Sequence, residues 1–182
     1  MEFFKSLSLI LGVLSFFAAA LLTLAGGGDG LWEHEGLMRV NRSKERVFEV
    51  LTTPELRKQW IEGLVESKVV PDGELDADSR LEEVIMVDGV RRTRILVVTD
   101  YERDSHVAFR YTDGDVEVEM RYEFRLYHGS GKCTVAFMCE AQYPGLPPKV
   151  IEPILGHMRL SRIEADLERL KATSEEGFAV RR

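Results

Sequence analysis

Between Val65 and Tyr143 apolar and polar side chains alternate with a period of two, the pattern of strands that bury one face and expose the other. The clearest run is Asp115 to Tyr127, where Val116, Val118, Met120, Tyr122, Phe124 and Leu126 alternate with Glu117, Glu119, Arg121, Glu123 and Arg125. The next run sets Cys133, Val135, Phe137, Cys139 and Ala141 on one face. Earlier runs place Ile85 with Val87, Ile95 with Val97, and Val107 with Phe109. Turn sequences at Pro71-Asp72-Gly73, Asp88-Gly89, Asp113-Gly114 and Gly129-Ser130-Gly131 interrupt the alternation, which predicts antiparallel hairpins in a sheet of about six or seven strands. Because exposed strand faces carry charge, Arg91, Arg92 and Arg94 are assigned to the outer face with Glu82, Glu83, Glu117 and Glu119; an inward Arg94 meeting a ligand carboxylate is the rival reading.

Helical spacing flanks this region on both sides. Leu37 to Asn41 reads as a short strand, and Ser43 can cap a helix with Val47, Phe48 and Leu51 on one face. Thr53-Pro54 then restarts a second helix carrying Leu56 and Trp60. After Pro144-Gly145-Leu146-Pro147-Pro148 a helix runs to about Ala172. Its Val150, Ile151, Ile154, Leu155 and Met158 form one stripe, and Leu160, Ile163, Leu167 and Leu170 form another on nearly the opposite side. One straight helix cannot bury both, so a break is expected near Pro153 to Gly156, with the later stripe on the sheet and the earlier one over a cavity mouth or a neighbour. Together these elements predict an α+β domain over 31–173, a curved antiparallel sheet with two short N-terminal helices and a long C-terminal one, followed by a tail at 174–182.

The first thirty residues have a different character. No charged residue occurs from Ser6 to Gly28, and the apolar run at 6–25 matches the roughly 20 residues that cross a hydrocarbon core. An uncleaved single-pass anchor is favoured over a signal peptide, whose apolar region is about 7 to 15 residues. Gly26 to Gly30, with Glu33 and Glu35 beyond, is read as a spacer. The domain is placed outside the cytoplasm, although Arg39, Arg42, Lys44 and Arg46 against the single Lys5 argue for the opposite side.

A net charge of -7 without a basic patch argues against nucleic-acid binding. Cys133 and Cys139 lie about 20 Å apart along one extended strand, too far for a disulfide, and face the core as inert thiols. Neither metal-ligand spacing nor a need for a cofactor is apparent. No base stands beside a nucleophile: His34 falls in the spacer, His106 opens a strand, His128 lies in a turn, and His157 is on the helix near the expected break.

The stretch MRVNRSKERVFEVLTTPELRKQWIEGLVESKVV resembles the opening of START-like (SRPBCC) proteins, whose members include polyketide cyclases, lipid-transfer proteins and Bet v 1-like proteins: a strand, a helix carrying Val47-Phe48, then Pro54 and Trp60. Asn41-Arg42-Ser43 departs from the proline that often precedes that helix. The resemblance implies a helix-grip fold enclosing a cavity for a lipid, polyketide or other small hydrophobic ligand. The residues expected to line it are Trp60, Met120, Tyr122, Phe124, Phe137, Ile154 and Met158, with Met138 as a further adaptable wall residue. Tyr122 is singled out because a buried phenol needs a partner. Binding without transformation is the first reading. A cyclase or dehydratase in the same cavity is the second, and a partner of another membrane protein, through the earlier helix stripe, the third.

Overall fold

The computed structural model describes residues 30–127, 131–145 and 155–176. In chain order they form β1 (Gly30–Val40), α1 (Lys44–Thr52), α2 (Pro54–Trp60), β2 (Leu64–Val70), β3 (Arg80–Val87), β4 (Val90–Glu102), β5 (His106–Asp113), β6 (Val116–Tyr127), β7 (Lys132–Tyr143) and α3 (His157–Glu176). The strands make one seven-stranded antiparallel sheet in the order β1-β7-β6-β5-β4-β3-β2. Chain neighbours therefore lie side by side, except that β1 crosses to pair with β7 and the two N-terminal helices fill the crossover. The candidate span at 6–25, His128, the earlier helix stripe up to Ile154, Pro153 at the expected break, and residues beyond 176 lie outside the described residues. Among those described, no helix is long and apolar enough to cross a membrane.

Local chemistry accounts for the elements. The Ser43 hydroxyl accepts from Arg46 N–H at the start of α1, which buries Val47, Phe48, Val50 and Leu51. Pro54 occupies the first turn of α2, and Thr53 N–H donates to Glu49 O at 2.9 Å where α1 ends. Between β3 and β4, Asp88 and Gly89 both have positive φ, 50° and 78°, as the tight turn of a two-residue hairpin requires. A bulge between Val98 and Asp100 shifts the alternation of β4, so that Tyr101 turns inward and meets Phe48 edge-on at 5.6 Å.

Several expectations need correction. β1 starts at Gly30, seven residues before the expected strand, and pairs with β7 over its whole length from Gly30↔Tyr143 to Val40↔Cys133. Glu33 and Glu35 are the outward residues of this edge strand and not a spacer; His34 is likewise a strand residue, stacked on Trp32. The phase of β4 is the reverse of that expected. Leu96 and Val98 are buried, whereas Ile95 is exposed and Val97 shares its outward side. Four consecutive apolar residues, Ile95 to Val98, satisfy either phase, and the pairing with β3 decides between them. Met138 likewise points away from the face of Phe137 and Cys139. At the C-terminus, α3 continues to Glu176. Ser174 is fully buried and its hydroxyl donates to Leu170 O at 2.7 Å, while Glu175 Oε1 accepts from Asn41 N–H at 2.9 Å.

The later stripe of α3 behaves as expected: Ile163, Leu167 and Leu170 are buried and Leu160 packs against the core. A π-helical turn at Leu155-Gly156 leads into the helix. There the backbone comes so close to Trp32 that a Cβ on Gly156 would overlap the indole. Farther along, Arg169 Nε donates to Trp60 O at 2.9 Å and Asp166 Oδ1 accepts from Glu62 N–H at 3.1 Å, tying α3 to the end of α2.

Candidate functional site

A cavity of about 100 Å³ lies between α3 and the centre of the sheet. Its apolar walls come from Trp60 and Ile61 at the end of α2, Leu96, Phe109 and Met120 on neighbouring strands, and Ile163 and Leu167 on α3. Trp60 is fixed by its indole N–H, which donates to Val50 O at 3.0 Å, so it ties α1 to α2 as well as walling the cavity. Tyr122 is also in the wall, and its hydroxyl donates to Met120 Sδ at 3.8 Å, a weak acceptor. Burial holds this phenol protonated, well above the ordinary range.

Of the residues expected to line a cavity, Trp60, Met120 and Tyr122 do so. Phe124 instead packs on Phe48 with ring centroids 5.3 Å apart, and Phe137 lies over Gly36, where a Cβ would overlap its ring. Met158 is 69% exposed. The reason is helical phase: counting back by fours from Ile163 and Leu167 brings Arg159 to the cavity side, and Met158 sits about 100° away. His157 is exposed as well.

The polar residues in and behind the wall depart furthest from expectation. Glu83, assigned to the outer face, is 0% exposed on the inner one. Its Oε1 accepts from Arg57 Nε at 2.7 Å and, at 3.4 Å, from the Ser67 hydroxyl; its Oε2 accepts from Arg94 Nε and Nη2 at 2.9 and 2.7 Å. Burial alone would push this carboxyl up, but the charges and hydrogen bonds of Arg57 and Arg94 hold it below the ordinary range. Arg57, 3% exposed, also donates through Nη1 to Leu51 O and lies over the Phe109 ring, with Cζ 4.9 Å from its centroid. Arg94 lies over Tyr111 at 4.8 Å, so the inward reading of Arg94 is the one the structure adopts.

These residues carry a readable signal. Glu83 shares its parity with Leu81 and Ile85, and Arg94 with Leu96 and Val98. The alternation places both inward, against the presumption that charges face water. Arg159 completes the wall, its Nε donating to the Tyr143 hydroxyl at 3.0 Å and its Nη2 standing 3.8 Å from Asp113.

Other groupings among the described residues give no catalytic centre. Asp100, His106 and Ser105 form a chain, with His106 Nε2 3.0 Å from Asp100 Oδ1 and Nδ1 3.3 Å from the Ser105 hydroxyl. Glu102 competes for the same Nδ1 at 3.4 Å, Arg121 holds the other Asp100 oxygen at 3.1 Å, and the cluster lies on the outer face away from the cavity. Burial pushes Cys133 and Cys139 up to about 11, so both are thiols at neutral pH. Among the described residues no group of three or more His, Cys, Asp or Glu side chains could hold a metal ion. A larger recess of about 790 Å³ opens beside α1 and the Asp72-Gly73-Glu74 loop, but it is open to solvent and rimmed by surface charges such as the Arg46–Glu49 pair.

The sheet order and the cavity beneath the last helix give the comparison with known proteins its footing. Residues 35–175 match the family model described as polyketide cyclase / dehydrase and lipid transport. The chain belongs to this family. It is therefore a START-like, helix-grip protein, and solved structures repeat the fold at low identity. A Staphylococcus aureus protein of unknown function is 15% identical with a TM-score of 0.66, the match covering 82% of this chain and 96% of that one. A conserved protein from Geobacillus kaustophilus is 16% identical with a TM-score of 0.60, over 79% and 95%. Ara h 8.0201 is 11% identical with a TM-score of 0.57, over 78% and 99%. Comparison with curated proteins finds no match.

Proposed function

We propose that the domain binds a small hydrophobic molecule in the cavity under α3 and holds it without transforming it, tethered to a membrane through residues 6–25. The observation that carries this reading is a space with apolar walls and no free base: the lining carboxylates Asp113 and Asp166 stand against Arg159 and Arg169, and Glu83, buried behind Arg57 and Arg94, is occupied on both oxygens. The family description, which includes lipid transport, agrees with it. The space of about 100 Å³ favours a ligand of one ring or a short chain, since an engineered apolar cavity of about 150 Å³ takes benzene and drug-sized pockets begin near 300 Å³. A lipid-sized occupant would need α3 to move outward.

Native mass spectrometry of the full chain released from lipid nanodiscs tests the reading. A stoichiometric adduct of small mass is the expected result. A chain that stays empty, and takes up no small aromatic compound when challenged, would overturn it. The cyclase or dehydratase reading has one observation in its favour: the phenols of Tyr111 and Tyr122, held protonated by burial, stand near guanidinium groups and could polarise a carbonyl. Turnover lost on Tyr122→Phe would support it.

A further inference from the structure

Charge is distributed unevenly about the cavity. The whole chain carries -7, yet four guanidiniums, Arg57, Arg94, Arg159 and Arg162, border this one space. The carboxylates nearby do not balance them freely. Glu83 is shared between Arg57 and Arg94, which leaves one positive charge over in a buried group. Asp166 is engaged by Arg169 at 2.5 Å and by Glu62 N–H at 3.1 Å. Asp113 is 59% exposed and stands 3.8 Å from Arg159, beyond hydrogen-bond length. Arg159, only 17% exposed, thus has Nε fixed on Tyr143 while its terminal nitrogens have a loose partner. The Tyr111 ring, covered by Arg94, is part of the same wall. Arg94, Tyr111 and Arg159 all line the same space.

We propose that the ligand is a small aromatic or short-chain monocarboxylate, its apolar part against Trp60, Phe109 and Met120 and its carboxylate between Arg94, Arg159 and the Tyr111 hydroxyl. The proposal rests on the cavity being a binding site. A surplus positive charge in a low-dielectric wall is costly by itself, and a monoanion offsets it. A carboxylate suits guanidinium edges because its two oxygens match the planar fork of donors. The small apolar volume selects the rest of the ligand.

The test uses benzoate, its neutral isostere benzamide, and inorganic phosphate, titrated by calorimetry into the full chain in lipid nanodiscs. Benzoate is expected to bind at one site at least ten-fold more tightly than benzamide and phosphate. Arg159→Gln, which leaves the buried Glu83 cluster untouched, should weaken benzoate about ten-fold and benzamide much less. Equal binding of benzoate and benzamide would overturn the carboxylate proposal and leave the cavity reading standing. Phosphate binding as tightly as benzoate would mean an inorganic anion site, and would overturn the proposal too. If neither aromatic probe binds, both readings fall. Benzoate and benzamide are compared on the wild-type chain, so the outcome does not depend on whether a variant folds.

Discussion

Glu83 is the side chain whose surroundings leave it least freedom. A lone carboxylate in this position would be neutralised by desolvation, and only the two guanidiniums keep it ionised. A buried cluster of this kind adds little net stability compared with an apolar one, yet removing a single partner strands the others. Glu83→Gln leaves Arg57 and Arg94 facing each other without a counter-charge and should cost about 3 to 5 kcal/mol, read from urea unfolding at pH 7. The pH dependence has a definite sign. The folded pKa lies below the ordinary 4.5, so the contribution of the carboxylate is fully present above that value and is lost as pH falls through the folded one. Acid unfolding of the wild type should therefore steepen below about pH 4.5, and in Glu83→Gln this part of the dependence should disappear. Tyr122 makes the opposite prediction. Its hydroxyl has a thioether at 3.8 Å as its acceptor, so Tyr122→Phe should change stability by less than about 1 kcal/mol in the same assay. A loss above about 2 kcal/mol would mean that an ordered water holds the hydroxyl.

At the scale of elements, packing depends on two glycines that allow close approach. Gly36 in β1 lies beneath the Phe137 ring of β7, and Gly156, just before α3, lies against Trp32 of β1. Gly156→Ala should push the start of α3 away from the sheet edge, cost about 1 to 3 kcal/mol, and change the fluorescence of Trp32. An unchanged melting temperature and emission would show that the turn yields without strain.

The same elements mark how much of the fold the sequence makes legible. Period-two alternation with turn residues gives β5, β6 and β7 and their hairpins, because each of these strands has one plainly apolar face. It does not settle β4, where apolar residues fall on both faces and register with β3 decides. It also misses the first half of β1. Edge pairing there is carried by backbone hydrogen bonds, and Glu33, His34, Glu35 and Gly36 look like linker when read as side chains. The candidate site follows the same division. Trp60, Met120 and Tyr122 could be found from apolar parity. Glu83 and Arg94 could be found only by trusting parity where it places charges in a core, and Arg57 only from its place three residues before Trp60 on one helical face; this becomes reasonable once they are seen to neutralise one another across α2, β3 and β4.

For the whole molecule, the N-terminal run gives an energetic handle on how the domain is held in place. Eleven of the twenty positions from 6 to 25 are Leu, Ile, Val or Phe. At roughly −0.3 to −0.6 kcal/mol each near a bilayer centre they favour insertion by about 3 to 7 kcal/mol, before smaller terms from Ala, Gly, Ser and Thr. Two arginines at the centre cost about 5 to 7 kcal/mol, enough to cancel that gain. The full chain should therefore remain with membranes through alkaline carbonate extraction, and the double variant Phe17→Arg/Ala18→Arg should be released. Intact mass separates this tether from its competitor: an anchor keeps residues 1–25 in the mature chain, whereas a signal peptide leaves a chain shortened by about that length. A shortened chain would free the domain from the bilayer. A tethered one can take up or release only what reaches it at the membrane surface, where a small aromatic acid partitions with its ring in the interface and its carboxylate in water.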